Sequence, residues 1–258
     1  MFKTITLRVI TLAAVILLIG PGIATAETIT VATAASMKNA MTDIVHKFNA
    51  QNQHNQVKAI YGSSGKFTAQ IQNGAPFDML FSADTNFPQA LKKEGLTSSD
   101  PVVYAIGRLV IWSSTTDASK LTLQKLDDSN IRKVAIANPD VAPYGLRARE
   151  AMKAAGMWEK LQSKLVLGEN IEHAAQMASS AAADAAIIAL SQARIPAMAK
   201  LGSYSMIDER LHASLQQAFV ITQRAKDSAL ARKFAAYVQT PESQKILESY
   251  GFVLPGKR

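Results

Sequence analysis

The sequence contains no cysteine, and its few histidines are dispersed along the chain. Disulfide bonds are therefore excluded as a source of stability, so the fold must rely on an ordinary hydrophobic core. At 48% hydrophobic residues, the chain has enough apolar side chains to form one. The four histidines lack metal-ligand spacing, and we interpret them as surface residues: His46, His54, His173 and His212.

Basic runs interleaved with aromatic residues are also absent, although the net charge is +8. Aromatic residues make up only 7% of the chain, and the lysines and arginines are spread over its whole length. This pattern argues against a nucleic acid as partner. A mild positive field would help to collect small anions, but dispersed surface charge explains the composition equally well.

Long apolar runs are missing except near the N-terminus. There Lys3 and Arg8 precede the apolar residues 9–19, and Ala24-Thr25-Ala26 forms a small-x-small cleavage pattern. The apolar run is interrupted by Gly20-Pro21-Gly22 and is shorter than the roughly 20 residues of a membrane helix. We therefore predict that residues 1–26 are a secretory signal peptide and that the mature protein is exported to the periplasm.

The rest of the chain alternates apolar strands with amphipathic helices. Such alternation predicts an α/β protein whose mostly parallel sheets are covered on both faces. The clearest strand predictions are Ile29–Ala32, Val57–Tyr61, Phe77–Ser82, Leu109–Trp112, Val134–Ala137, Ala185–Leu190 and residues 215–222.

The length suits two lobes better than one doubly wound domain. We predict a discontinuous first lobe of residues 27–107 plus 216–258 and a second lobe of residues 108–215. The connecting segments would be Val102–Arg108 and Leu211–Gln217, because no linker rich in proline or serine divides the chain. A ligand would then lie in the cleft between the lobes.

Two short serine-containing turns each follow a strand and precede a helix. They are Ala34-Ala35-Ser36 and Gly62-Ser63-Ser64-Gly65. The first N–H groups of a helix have no intrahelical partner and lie at the positive end of its dipole, so such turns can bind an anion. Serine is also a good N-cap, which accounts for either turn taken alone, and we interpret Ser36 as an N-cap.

A series of further motifs accompanies these turns in a fixed order. They are Thr30-Val31-Ala32-Thr33-Ala34-Ala35-Ser36, Asn39-Ala40-Met41, Gly62-Ser63-Ser64, Gly74-Ala75-Pro76-Phe77-Asp78, Phe81-Ser82-Ala83-Asp84, Asn138-Pro139, Pro143-Tyr144-Gly145 and Tyr250-Gly251-Phe252. Together they resemble the periplasmic molybdate-binding proteins of ABC transporters over nearly the whole chain after residue 26. The resemblance implies a two-lobed type II periplasmic-binding-protein fold and a monomeric receptor that is not an enzyme. It also implies molybdate or tungstate as ligand, delivery to an inner-membrane ABC permease, and no cofactor.

The resemblance also implies specific ligand positions. Its two binding serines match Ser36 and Ser64, and its two backbone N–H donors fall on Tyr144 and Ile171. The fifth position, a tyrosine hydroxyl in the related proteins, falls on Ala189, which has no donor. Loss of one such donor costs on the order of 1–3 kcal/mol.

Three explanations of this departure stay open. The hydroxyl of Tyr144 could take the vacated place, a water could bridge to the anion, or the protein could recognise a different oxyanion. If its hydroxyl plays no part in binding, we expect the Tyr144 ring to pack at the rim of the site.

Charged residues near the serine turns refine the expected ligand. Lys38 and Lys66 lie in the first turns of the two helices, where we expect both side chains to point to solvent. Asp78 and Asp84 are not placed as ligands, and we interpret Asp84 as a cap for the helix beginning at Asn86. A site made of donors alone suits molybdate, tungstate or sulfate, whereas phosphate retains a proton and needs an acceptor.

The motifs of two other classes of protein are only partly present. Ser63-Ser64-Gly65-Lys66 satisfies the serine-x-x-lysine pattern of exported serine hydrolases, but no Ser-Asp-Asn or Lys-Thr-Gly motif accompanies it. Ferric-ion receptors use clustered tyrosines, and Tyr61, Tyr104 and Tyr144 include no adjacent pair.

Overall fold

The computed structural model describes residues 26–256. The predicted signal peptide, apart from its last residue, lies outside the described residues. In the described part of the chain, no helix has the length and apolar character needed to cross a membrane.

Strands and helices alternate along the described chain. The strands are β1 (Thr28–Ala34), β2 (Gln56–Gly62), β3 (Met79–Ser82), β4 (Val102–Gly107), β5 (Leu109–Ser113), β6 (Val134–Ala137), β7 (Leu165–Gly168), β8 (Ala185–Ala189), β9 (Ser203–Met206) and β10 (Leu215–Ile221). The helices are α1 (Lys38–Gln51), α2 (Ser64–Gln72), α3 (Asn86–Lys93), α4 (Pro143–Ala154), α5 (Trp158–Leu161), α6 (Ile171–Ser179), α7 (Leu190–Ala193), α8 (Pro196–Leu201), α9 (Ala229–Val238) and α10 (Pro241–Ser249).

The strands form two five-stranded sheets with the same arrangement. The first sheet has the order β2-β1-β3-β10-β4, and the second has the order β7-β6-β8-β5-β9. In the first sheet β1 pairs in parallel with β2 and β3, while β10 is antiparallel to β3 and β4. In the second sheet β6 pairs in parallel with β7 and β8, while β5 is antiparallel to β8 and β9. The predicted two-lobed α/β fold is therefore confirmed.

Each sheet has its own hydrophobic core. An aromatic group packs beneath the first sheet, where the ring centroids of Phe81 and Phe219 lie 5.1 Å apart and those of Phe48 and Phe234 also lie 5.1 Å apart. The second core surrounds Trp112, which is fully buried. Since aromatic side chains bury a large apolar area, these clusters hold each sheet to its helices.

The segments expected to connect the lobes are largely parts of strands. Val102–Gly107 forms β4, and residues 215–217 open β10, so both belong to the first sheet. The chain enters the second sheet directly after Arg108 and returns between Met206 and Leu215. Tyr104 of β4 is buried in the first core, which the prediction of this segment as a connection missed.

Candidate functional site

Ser36 lies in a 3₁₀ turn, Ala35–Met37, that leads into α1. The N-cap of this turn is Ala34, and no side chain caps it, so the interpretation of Ser36 as an N-cap is wrong. The turn begins two residues earlier than expected, because β1 runs straight into it at Ala34. The Ser36 hydroxyl is thereby free of capping and donates to Oε1 of Gln217 at 3.5 Å.

Ser64 is the first residue of α2. Its Oγ accepts a hydrogen bond from the N–H of Ala83 at 3.0 Å. That bond fixes the hydroxyl oxygen and leaves the hydroxyl proton for another acceptor, which no described residue provides. Ser64 can therefore donate to a ligand without losing an existing bond.

Two other helix starts lie opposite these serines, in the second lobe. Helix α4 begins at Pro143 and α6 begins after Asn170, as predicted. The Asn170 side chain accepts from the N–H groups of Glu172 and His173 at 2.9 and 3.1 Å. The N–H of Ile171 is left outside this cap, and as the first residue of the helix it has no intrahelical acceptor.

The four predicted ligand positions line one space between the lobes. Ser36, Ser64, Tyr144 and Ile171 all border this space, whose cavity volume is about 10 Å³ with the lobes in contact. Its other walls are short side chains and backbone: Ala34, Ala35, Gly62, Ser63, Ala83, Ala142, Pro143 and Asn170. The structure thus brings the starts of three helices, α2, α4 and α6, and the 3₁₀ turn before α1 to the border of one space, where the positive ends of helix dipoles favour an anion.

The Tyr144 side chain is buried, with 1% of its surface exposed, and does not pack at the rim as the simplest expectation had it. Its hydroxyl lies beside Ser36 and Gln217. It makes no hydrogen bond of acceptable geometry to any described residue. The hydroxyl packs directly against Gly107 at the end of β4, where an added Cβ would lie 2.0 Å from the hydroxyl oxygen. Burial raises the pKa of this phenol, so it remains a neutral donor.

Ala189 ends β8 opposite Leu109 and is completely buried. It is not among the residues that border the space between the lobes. The position at which the resemblance loses its tyrosine is therefore filled by close packing of the strand end.

Lys38 and Lys66 each keep nearly half of their side-chain surface in solvent, but each also forms an ion pair that the sequence did not predict. Lys38 forms an ion pair with Glu172, and Lys66 forms one with Glu169. Both acids lie at the start of α6, in the opposite lobe. Contact with Lys66 lowers the pKa of the Glu169 carboxyl. The lysines accordingly join the lobes on the outer side of the enclosed space.

Neutral hydrogen bonds also cross between the lobes. The Ser63 hydroxyl and the N–H of Gly65 both donate to the carbonyl oxygen of Val141, the latter at 3.0 Å. On the other side, the Ser191 hydroxyl donates to the carbonyl oxygen of Ser36 at 2.7 Å. These contacts show that the lobes are closed on each other.

The nearby carboxylates have structural partners. Asp84 accepts from the N–H of Phe87 at 3.3 Å in the first turn of α3, but the N-cap position of that helix is Thr85, so Asp84 is not its N-cap. Burial raises the pKa of this carboxyl. Asp78 accepts from the N–H of Thr30 at 2.7 Å. Neither carboxylate borders the enclosed space.

The serine-x-x-lysine pattern does not form a catalytic pair. Ser63 donates to Val141 while Lys66 pairs with Glu169, so the hydroxyl has no neighbouring base. Across residues 26–256 there is likewise no group of three or more histidine or acidic side chains arranged to hold a metal ion.

A family model described as bacterial extracellular solute-binding protein matches residues 29–253. The chain belongs to this solute-binding family. Among its relatives, the molybdate-binding protein ModA of Azotobacter vinelandii is 33% identical over 235 residues, covering 90% of this chain and 92% of the relative. ModA of Rhodobacter capsulatus is 33% identical over 239 residues, covering 89% of this chain and 90% of the relative.

The solved structures agree with the sequence relatives. The Azotobacter vinelandii periplasmic molybdate-binding protein superposes with a TM-score of 0.80 at 32% identity, covering 88% of this chain and 99% of that one. The resemblance to periplasmic molybdate-binding proteins is therefore confirmed. Membership of this solute-binding family also makes the chain a binding protein and not an enzyme.

The sequence did not reveal the residues that surround the predicted site residues and hold them in place. Gln217, Ser191, Glu169 and Glu172 each contact a predicted site residue or a lysine beside one. One feature of the sequence could have identified Gln217 as a candidate. It is a polar residue at an inward position of the apolar strand β10, where an unpaired amide would be costly.

Proposed function

We propose that this protein is a periplasmic receptor that binds molybdate or tungstate between its lobes and delivers it to an inner-membrane ABC permease. The observation that carries the proposal is that three helix starts and the 3₁₀ turn before α1, contributed by both lobes, border one space. The names of the relatives, which are molybdate-binding proteins, support the same ligand.

The chemistry of the lining favours a fully deprotonated oxyanion. Ser36 and Ser64 offer hydroxyl groups, while Tyr144 and Ile171 offer backbone N–H groups. Carboxylates are kept out of the lining, because Asp84 is engaged at the start of α3. Molybdate and tungstate carry no proton at neutral pH and need only donors, whereas phosphate needs an acceptor for its remaining proton.

Binding would follow a capture-and-closure sequence. The first lobe, residues 27–107 plus 216–258, captures the oxyanion at Ser36 and Ser64. The second lobe, residues 108–215, then closes and adds the N–H groups of Tyr144 and Ile171. The cross-lobe contacts stabilise the closed form, which presents the surface that the permease recognises. The protein would act as an exported monomer without a resident cofactor, its signal peptide ending near Ala26.

Isothermal titration calorimetry of the exported, processed protein tests this function. Molybdate, tungstate, sulfate, phosphate and ferric citrate are titrated separately under the same conditions. We expect molybdate or tungstate to bind with a Kd below about 10 μM, a free energy of about −7 kcal/mol. Tighter binding of sulfate or another solute, with neither of these two below that limit, contradicts the proposal.

Serine variants locate the binding site in the same assay. Ser36→Ala combined with Ser64→Ala removes both hydroxyl donors and should weaken binding at least tenfold. Ser249→Ala is the matched control, since Ser249 is exposed on α10 and donates only to Ile246 within its own helix. Equal affinities of the double variant and the control would place the ligand elsewhere.

A further inference from the structure

The side chain of Tyr144 reaches from the second lobe into the first. Its helix, α4, packs on β6 of the second sheet, and there Gly145 lies so close to Ala137 that an added Cβ would be 2.1 Å from the carbonyl oxygen. The Tyr144 hydroxyl instead lies against Gly107, which ends β4 in the first sheet. Tyr144 therefore has its backbone fixed in one lobe and its phenol packed against the other.

Three residues of the first lobe surround the phenol, and we call them the phenol socket: Ser36, Gly107 and Gln217. An added Cβ on Gly107 would lie 2.0 Å from the Tyr144 hydroxyl oxygen and 3.0 Å from the ring atom Cζ. Polar groups of Ser36 and Gln217 lie beside the same hydroxyl. Since Tyr144 is buried, its ring fills the socket when the lobes are in contact.

Gly107 is a glycine because of space and not because of backbone conformation. It is not one of the glycines with a positive φ, so an alanine could adopt the same backbone. A Cβ is excluded by the phenol, because no side chain tolerates a contact of 2.0 Å. The missing side chain at Gly107 thus leaves the room that the Tyr144 hydroxyl occupies.

The depth at which the ring is seated determines where the Tyr144 backbone lies. The N–H of Tyr144 is in the first turn of α4, where it has no intrahelical acceptor. Tyr144 and Ser36 both border the space between the lobes, and Ser36 is also a wall of the socket. Seating of the ring therefore sets how closely a backbone donor of the second lobe approaches a serine donor of the first.

We propose that the Tyr144 side chain has a positioning role, in which its ring enters the phenol socket and sets the distance between the lobes of the closed receptor. The ring then acts on the oxyanion through the backbone N–H of the same residue. The room at Gly107 decides whether the ring can enter. This role rests on the proposed function, because it requires an oxyanion held by both lobes.

A rescue experiment tests the role of the socket. Gly107→Ala puts a Cβ where the hydroxyl lies and should keep the ring from seating. Stopped-flow kinetics use molybdate or tungstate, whichever the wild type binds more tightly. We expect the dissociation rate constant to rise at least tenfold and the association rate constant to stay within about threefold, because capture precedes closure.

Tyr144→Phe should rescue the Gly107→Ala variant. It removes the oxygen at 2.0 Å and leaves Cζ, at 3.0 Å, as the nearest ring atom. The double variant should therefore dissociate at least fivefold more slowly than Gly107→Ala alone, since the two changes act on one contact. A double variant that dissociates as fast as Gly107→Ala overturns the proposal.

Single changes at Tyr144 separate seating of the ring from direct donation by its hydroxyl. Tyr144→Phe keeps the ring, so its dissociation rate constant should stay within about threefold of wild type. A rise of tenfold or more would mean that the hydroxyl donates to the anion, which contradicts a positioning role. Tyr144→Ala empties the socket and should raise the dissociation rate constant at least tenfold.

Tyr104→Phe is the matched control. Tyr104 also carries a buried hydroxyl without a hydrogen-bond partner and also lies on β4, but it packs in the first core. This change should neither alter the dissociation rate constant nor rescue Gly107→Ala. Crowding of Gln217, whose Nε2 would be 3.0 Å from the new Cβ, is the same in both double variants, so it cannot account for a rescue by Tyr144→Phe alone.

Two outcomes separate the possible failures. If Gly107→Ala does not fold, as shown by thermal unfolding without ligand, the two single variants of Tyr144 decide the proposal. Failure of the wild type to bind molybdate or tungstate defeats the proposed function. Normal binding by the wild type without rescue, or with Tyr144→Ala unchanged, defeats only the role of Tyr144.

Discussion

The hydroxyl of Ser191 in α7 donates a 2.7 Å hydrogen bond to the carbonyl oxygen of Ser36, in the opposite lobe. The bond joins the second lobe to the same turn that supplies a ligand donor. Ser36 therefore takes part in both the closure of the lobes and the proposed ligand binding, so a change in one should alter the other.

Ser191→Ala should weaken oxyanion binding without unfolding either lobe. A hydrogen bond of this kind contributes on the order of 1 kcal/mol, so we expect about a fivefold rise in Kd by calorimetry. Ser205→Ala is the matched control, since the Ser205 hydroxyl donates to the carbonyl oxygen of Leu121 at 2.6 Å within the second lobe. A similar loss of affinity in both variants would show that the effect is not specific to closure.

The cross-lobe ion pairs should contribute a small, salt-dependent part of the affinity. Lys66 and Glu169 are about half exposed, so solvent screens their attraction. Lys66→Met should raise the Kd by less than about tenfold at low ionic strength, with a smaller effect in 0.5 M salt. Exchanging the charges, with Lys66→Glu and Glu169→Lys together, should restore much of the loss.

Lys47 provides the comparison for these ion pairs. It pairs with Glu242 at 3.0 Å, and both residues lie in the first lobe. Lys47→Met should leave the Kd unchanged at either salt concentration. If it matches Lys66→Met, the lysines act through general charge and not through closure.

Gly65→Ala should separate stability from binding. A Cβ at Gly65 would lie 2.7 Å from the carbonyl oxygen of Val141, which belongs to the other lobe. Within the first lobe the new Cβ would meet the tip of the partly exposed Phe87 ring at 3.0 Å, and this ring can shift. Since alanine is also the better helix former by about 1 kcal/mol, the first lobe alone should tolerate it. We expect a loss of affinity of tenfold or more with no fall in the Tm of the ligand-free protein.

Gly145→Ala should behave in the opposite way. Its Cβ would lie 2.1 Å from the carbonyl oxygen of Ala137, within the second lobe. This clash cannot be relieved by opening the lobes, so the Tm itself should fall. Thermal unfolding and calorimetry of both variants distinguish the two cases, and a lower Tm for Gly65→Ala would contradict the assignment of its clash to closure.

Asp84→Asn should raise the thermal stability at neutral pH. Burial raises the pKa of this carboxyl above 3.8, although the N–H of Phe87 and the charge of Arg147 partly oppose the shift. A raised carboxyl pKa means that the folded state binds the proton more tightly, so stability falls as pH rises through the interval above 3.8. Thermal unfolding should show a higher Tm for Asp84→Asn at pH 7 than for wild type, and the difference should shrink toward pH 4.

The sequence predicted those parts of the fold and site that depend on local signals. Helices α4 and α6 begin where Pro143 and Asn170 indicate, because proline at the first turn and an asparagine cap act within a few residues. Strand β9 was not predicted, since its residues are only partly buried and lack clear alternation. Ser36 was misread as a cap because the exact start of a turn depends on how the preceding strand ends.

The partners of the lysines could not be predicted from local sequence. Lys66 and Glu169 are 103 residues apart, and Ser36 and Gln217 are 181 residues apart. Such contacts exist only after both sheets have formed and the lobes have closed. A lysine at a helix start looks solvated until the facing helix is known.

The place of β10 in the first sheet has a consequence for the order in which the chain acquires its structure. β10 lies between β3 and β4 and is the only strand neighbour of β4 among the described residues. Because the chain is synthesised from its N-terminus, all strands of the second sheet are made before Leu215. The second lobe can thus fold as a continuous unit before β10 is available. Until then, β3 and β4 each have an unpaired edge that can pair with the wrong strand. The last strand to appear is therefore the one that completes the lobe with which the sequence begins.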